Sequence, residues 1–169
     1  MANTSIRLLR EYDAKVISEA FRQQGWDKPA AQYDAYYRKQ MNGGQVTLVA
    51  ETDGDFAGYV NVLWDSPYPD FRANSIPEIN DFNVLIKYRR RGIGTALMNE
   101  AEAIIGERSQ VAGIRVGLYS DYGAAQVMYV LRGYVPDGKG IFQHDAYPQY
   151  GEQVRVDDDL VLSLTKKLR

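Results

Sequence analysis

The chain contains no cysteine and a single histidine among its 169 residues. Without thiols it cannot form a disulfide, a thiolate zinc site or a cysteine-bound acyl intermediate. His144 alone cannot build a two-histidine metal site, and a Ser-His-Asp triad would have to draw on that one residue. No metal is expected. No apolar run approaches the length of a membrane span, and no apolar core of a signal peptide stands near Met1. A cytoplasmic protein with no membrane partner is therefore expected. Charge of one sign is also lacking: 20 Lys and Arg face 22 Asp and Glu, for a net charge of −2. Nucleic-acid binding would need a local basic patch, and the only dense one is Arg89 to Arg91, so no nucleic-acid partner is expected. Repeats, linkers and low-complexity segments are absent. The length suits one domain, residues 1–169, with a real core.

What is present alternates between strand and helix signals. Residues 5–9 read as a first strand. Asp13 is placed to cap a helix whose apolar face carries Val16, Ile17, Ala20 and Phe21. Residues 30–41 form a second helical pattern, closed by Gly43 and Gly44. Residues 46–51 and 56–64 are strands around the hairpin signal Thr52-Asp53-Gly54-Asp55. Residues 65–77 read as a loop long enough to suggest function. A strand over 79–84 is followed by a helix with Ile93, Leu97, Ala101, Ile104 and Ile105 on one face, ending near Gly106. A strand over 114–118, a helix over 124–132, a turn at Pro136-Asp137-Gly138 and a last strand over 160–165 complete a mixed α/β domain.

The most informative segment is the junction at residues 83–96. An apolar strand runs into Arg89, Arg90 and Arg91, then Gly92-Ile93-Gly94-Thr95, then a helix. Glycines let backbone amides approach a ligand, the helix start supplies partial positive charge, and arginines add paired hydrogen bonds. That combination suits a pyrophosphate. Leu97 stands where a dinucleotide fingerprint needs a third small residue, and the Gly-Lys-Ser/Thr of a P-loop is missing.

Arg89-x-x-Gly92-x-Gly94 resembles the Arg/Gln-x-x-Gly-x-Gly/Ala signature of the GNAT acyltransferase superfamily. Its lead-in, Phe82-Asn83-Val84 to Tyr88-Arg89, looks like that family's fourth strand and following turn. A second segment agrees: Ala125-x-x-Met128-Tyr129-x-x-x-Gly133-Tyr134 is similar to the family's helix motif. The resemblance covers roughly residues 5–168 and is strongest over 78–135. It implies a central, mostly antiparallel twisted sheet flanked by helices and splayed between its fourth and fifth strands. It also implies an N-acetyltransferase that takes acetyl-CoA as cosubstrate, with a homodimer as the expected assembly.

The resemblance assigns roles residue by residue. The turn Arg89, Arg90, Arg91, Gly92, Ile93, Gly94 and Thr95 would hold the pyrophosphate. The backbone of Phe82, Asn83 and Val84 would pair with the pantetheine arm like an added strand, and the Val84 N–H would polarise the thioester carbonyl. Tyr129 takes the family's general-acid position beside the sulfur, although a core tyrosine with a bonded hydroxyl is the alternative. Tyr122 stands where the family often has an asparagine that contacts CoA.

Glu78 and Asp81 are the candidate bases. An alkylammonium has a pKa of ~10.4, and losing its proton at pH 7 costs about 4–5 kcal/mol. A carboxylate, acting directly or through water, assists that loss. The acceptor side is less legible. Tyr33, Tyr36, Tyr37, Trp64, Tyr68 and Phe71 are either pocket walls or core, and Asp65, Asp70 and Asp121 would favour a small cationic amine. Asp157-Asp158-Asp159 reads as a solvated turn. Transfer directly to a primary amine is the expected activity. A CoA-binding module without turnover, a protein or peptide N-acetyltransferase and a nucleic-acid binder are the rivals.

Overall fold

Alternating apolar and polar residues assemble a seven-stranded sheet in the computed structural model, which describes residues 3–169. Its strands are β1 (Thr4–Leu8), β2 (Gln45–Thr52), β3 (Asp55–Leu63), β4 (Glu78–Val84), β5 (Val111–Gly117), β6 (Val135–Phe142) and β7 (Val161–Lys167), in the spatial order β1-β2-β3-β4-β5-β7-β6. Among the described residues only β4 and β5 run parallel. The helices are α1 (Asp13–Gln23), α2 (Ala30–Met41), α3 (Pro69–Ala73), α4 (Ile93–Gly106) and α5 (Gly123–Leu131). The β2–β3 hairpin turns on Asp53 and Gly54, with φ of 53° and 88°. Two central residues with positive φ match the twist of the strands they join.

Each face of the sheet has its own core. On one, Leu97, Met98, Ala101 and Ile105 of α4 close over Leu48, Val60, Val62, Ile79 and Ile114. On the other, Ile17 and Phe21 of α1 and Tyr33 of α2 close over Val49 and Tyr59. Each fully buried large aliphatic side chain contributes about 1.5–3 kcal/mol, so these faces fix which way every strand residue points.

Asp13 does not cap α1. Its carboxylate takes the guanidinium of Arg7 at 2.7 and 2.9 Å and the Arg10 backbone N–H at 2.7 Å. Arg7 also reaches Glu51. The hydrogen bond to Asp13 leads the effects that hold the Arg7 pKa above its ordinary value, against the opposing effect of burial. A half-buried cation wins more from a directed partner than the first helical turn does from a cap. Asp13→Ala is expected to lower unfolding stability by about 2–3 kcal/mol in urea titrations, less than a fully buried pair because Glu51 remains.

Two further expectations change. Residues 65–77 contain α3, with Phe71 buried against Gly113; a Cβ on Gly113 would lie 2.4 Å from that ring. The turn expected at Pro136-Asp137-Gly138 lies inside β6 instead. Gly138 and Gly140, with φ of 86° and 80°, bulge this edge strand, and its register with β7 jumps between Pro136 and Ile141.

The sheet opens between β4 and β5. They share two registered pairs, Glu78↔Gly113 and Ile79↔Ile114, and then part. The cause is local to β4. Asp81 has a φ of 49°, and the register with β3 shifts between Tyr59 and Asn61. Such a bulge bends its strand. Beneath it only glycine fits, because a Cβ on Gly58 would stand 2.5 Å from the Asn83 carbonyl oxygen. The edge of β4 over residues 80–84 therefore borders a V-shaped gap with no strand registered against it.

Candidate active site

The V has an arginine-rich turn at one wall. A 3-10 turn (Ile86–Tyr88) delivers the chain to Arg89, Arg90 and Arg91, all exposed. Arg90 and Gly92 both take the left-handed conformation, with φ of 58° and 80°. Gly92 is the N-cap of α4 and no side chain caps that helix, which leaves the first-turn amides of Ile93, Gly94 and Thr95 open to a ligand. The Arg89 guanidinium donates to the Val84 carbonyl at 3.2 Å and lies over the Trp26 ring. Gly94 lets α4 approach β4: a Cβ there would lie 3.0 Å from Cζ of Phe82 and 3.3 Å from Cε of Met128.

Tyr129 rises from α5 into the cluster that Phe82, Val84 and Met128 border. Its ring is buried and meets Tyr134 edge-on at 6.1 Å. Its hydroxyl has no partner among the described residues, yet it is not one of the buried unpartnered atoms, so it stays accessible. Burial pushes the phenol above its ordinary pKa. A core tyrosine would ordinarily satisfy that hydroxyl. This one is held neutral, protonated and free to donate.

On the opposite face β4 presents a polar cluster built on Asp81. One carboxylate oxygen accepts the hydroxyls of Tyr59 and Tyr36, the latter at 2.7 Å, and the Gln32 amide at 3.2 Å. The other accepts the Asn83 amide at 2.9 Å, with Lys28 at 3.8 Å. Burial first, then the charge of Asp81, holds the Tyr36 and Tyr59 hydroxyls above their usual pKa, so both remain donors.

Glu78 is placed differently. It is 1% exposed, and its oxygens take the Arg115 guanidinium at 2.9 Å and the Ser66 hydroxyl, with the Asn80 amide at 3.4 Å. It ties β4 to β5 across the two registered pairs that precede the gap. Its burial, against a side-chain exposure of 23% at Asp81, leaves Asp81 the carboxylate more open to an incoming amine.

Tyr122 lies flat on Gly117, where a Cβ would sit 2.4 Å from its ring, and donates to Asp158 at 2.9 Å. Tyr119 donates to the same oxygen of Asp158, so the expected solvated turn is in part an anchor. Burial first, then Asp158, holds the Tyr122 hydroxyl above its usual pKa.

The six aromatic wall candidates divide. Tyr33, Tyr68 and Phe71 are core. Trp64 packs under Arg108, and Tyr37 lines a surface concavity of about 570 Å³ beside β1, on the far edge of the sheet. Only Tyr36 touches Asp81. Of the acids, Asp70 accepts the Tyr147 hydroxyl, whereas Asp65 and Asp121 are exposed. Arg115 is not among the residues expected from the sequence, although a lone charge between Ile114 and Val116 of a buried strand is a usable signal.

The model of the Acetyltransferase (GNAT) family matches residues 13–134. The chain belongs to that family. No curated protein matches it in sequence. Among solved structures, a Salmonella typhimurium protein with its cofactor acetyl-CoA is 16% identical, with 98% of this chain and 94% of that one covered and a TM-score of 0.69. A ribosomal-protein-alanine N-acetyltransferase from Brucella melitensis is 19% identical over 96% and 99% of the two chains, with a TM-score of 0.69. A spermidine N-acetyltransferase chimera from Vibrio cholerae is 13% identical over 98% and 95%, again with a TM-score of 0.69. These likenesses establish the shared fold.

The gap between β4 and β5 is thus the expected splay of a GNAT acetyltransferase. Two of these neighbours are named for different acceptors, so the fold does not select the amine. No helix of this acetyltransferase among the described residues is long and apolar enough to cross a membrane.

Proposed function

We propose that this acetyltransferase, acting as one domain over residues 1–169, transfers an acetyl group from acetyl-CoA directly to the primary amine of a small molecule that arrives as an ammonium ion. The observation that carries this is the placement of three groups around one gap: the uncapped arginine turn, the unpaired edge of β4, and the accessible hydroxyl of buried Tyr129.

The residues fit acetyl-CoA. Open amides of residues 93–95 and the side chains of Arg89, Arg90 and Arg91 suit its pyrophosphate. The unpaired backbone of Phe82, Asn83 and Val84 suits its amide-bearing arm, as an added strand suits a sheet edge. An amide of that edge donates to the developing oxyanion. Bound there, acetyl-CoA supplies an activated thioester. Asp81 attracts the ammonium ion from the other face, and its proton passes to Asp81 through water or to solvent. Tyr129 donates its proton to the leaving thiolate, and Tyr122 borders the cleft in place of the asparagine. Direct transfer agrees with a chain that has no thiol to carry the acyl group.

The test is thiol release over a panel of primary amines. The chain has no cysteine, so a thiol reagent reads CoA alone. Turnover with at least one amine is expected. CoA binding without thiol release from any amine would establish the sensor instead. The two carboxylates are expected to separate. Asp81→Asn should slow the reaction most near pH 7 and partly recover toward pH 10, where the amine is already neutral. Glu78→Gln should lose about 3 kcal/mol of stability by stranding Arg115. A pH profile of Asp81→Asn parallel to wild type would remove the base role.

A further inference from the structure

Arg115 stands at the vertex of the V, one residue beyond the last registered pair Ile79↔Ile114. Ile79 and Ile114 face the α4 core, so their neighbours Glu78, Gly113 and Arg115 face the other way, toward the side of Asp81. The Arg115 side chain is 20% exposed. Its Nε is committed to Glu78 at 2.9 Å, and its guanidinium carbon sits 5.8 Å from the centre of the Tyr68 ring. Tyr68 is itself locked by Asp137 and Tyr147. The two terminal nitrogens bond to nothing among the described residues and are not buried unpartnered atoms, so they reach solvent. A structural counter-ion for Glu78 needs only one edge of a guanidinium. Here the stem is fixed and a paired-donor fork is left over, which matches a carboxylate.

The charges at the vertex agree. Glu78 and Asp81 are met by Arg115 and Lys28, a balanced set. A zwitterion preserves that balance, whereas a bare cation or a bare anion upsets it. Resting on the acetyl-transfer reading above, we infer that Arg115 holds a carboxylate of the acceptor, so that the substrate class is amino-acid-like: an amine near Asp81 and a carboxylate on the Arg115 fork.

The test uses matched acceptors that differ only in the carboxylate: methionine against 3-(methylthio)propylamine, phenylalanine against phenethylamine, and lysine against cadaverine. Wild-type kcat/KM is expected to be at least ~10-fold higher for the carboxylated member of the preferred pair. Arg115→Lys keeps a cation beside Glu78 but loses the fork. It should raise KM for that member by about 10-fold or more, leave kcat within ~3-fold and leave the bare amine unaffected. Equal wild-type use of both members in every pair, or bare amines alone reacting, overturns the inference and leaves acetyl transfer standing. An equal loss on both members in Arg115→Lys also overturns it, because a purely structural role would do that. No thiol release from any of the six overturns it as well, and acetyl transfer then stands or falls on the wider amine panel.

Discussion

Tyr129→Phe is expected to lower kcat by ~10²-fold or more while acetyl-CoA affinity stays within ~2-fold. The variant removes one oxygen from a side chain whose ring is already in the core. Packing against Tyr134 is kept, and no protein hydrogen bond is lost, because the hydroxyl has no partner among the described residues. Stability should therefore change little or even rise, since an unpaired polar atom leaves a largely buried site. A wild-type rate in the variant would give the proton-donor role to water. Equal losses of stability and rate would make the hydroxyl structural.

The same hydroxyl sets a pH expectation. Burial raises its pKa above the ordinary value of about 10, because ionisation would place a charge in an apolar cluster. The acid form is fully present below that ordinary value and is lost only as pH rises through the higher one. The rate should thus climb from neutrality, as the amine loses its proton, and show no alkaline decline before pH ~10. A fall that begins near pH 8 or 9 would belong to some other group.

The parts of this molecule that could be read from its sequence are those governed by near neighbours. Residues 30–41 and 93–106 match their helices because apolar spacing and the flanking Pro29, Gly43, Gly92 and Gly106 set their ends. The β2–β3 hairpin follows from Asp53-Gly54 for the same reason. The splay comes with the family resemblance, whereas the arginine turn is legible from its own residues. Illegible features depend on partners far along the chain. Asp13 is drawn from its cap by Arg7 on β1, which Glu51 on β2 also holds. Glu78 and Asp81 differ by three positions, yet one is sealed by Arg115 and Ser66 while the other faces α2. A bulge that no local pattern announces puts both on one face, since it breaks the alternation of side chains along β4, and they then differ in depth, with side-chain exposures of 1% and 23%. Asp158 reads as solvated until Tyr119 and Tyr122 are seen to converge on it.

Gly92→Val is expected to weaken CoA binding by at least ~10-fold, which is about 1.4 kcal/mol. Two effects are mixed in such a variant, and a second glycine separates them. Gly92 has a φ of 80°, so any branched side chain strains the backbone there by about 1–3 kcal/mol. Gly54 in the β2–β3 hairpin has a φ of 88°, and a Cβ added there, as at Gly92, would meet no atom within 4 Å. Gly54→Val carries a similar strain in a turn that belongs to no part of the V. Both variants should lose comparable stability in thermal or urea unfolding. Only Gly92→Val should lose CoA affinity by calorimetry, because only there does the new side chain enter the space above the open amides of α4. Wild-type CoA affinity in both variants would mean that the pyrophosphate does not approach this turn. Equal losses in both would point to strain spread through the fold. A loss confined to Gly92→Val locates the anion at the start of α4 and leaves the Asp81 face of β4 for the amine.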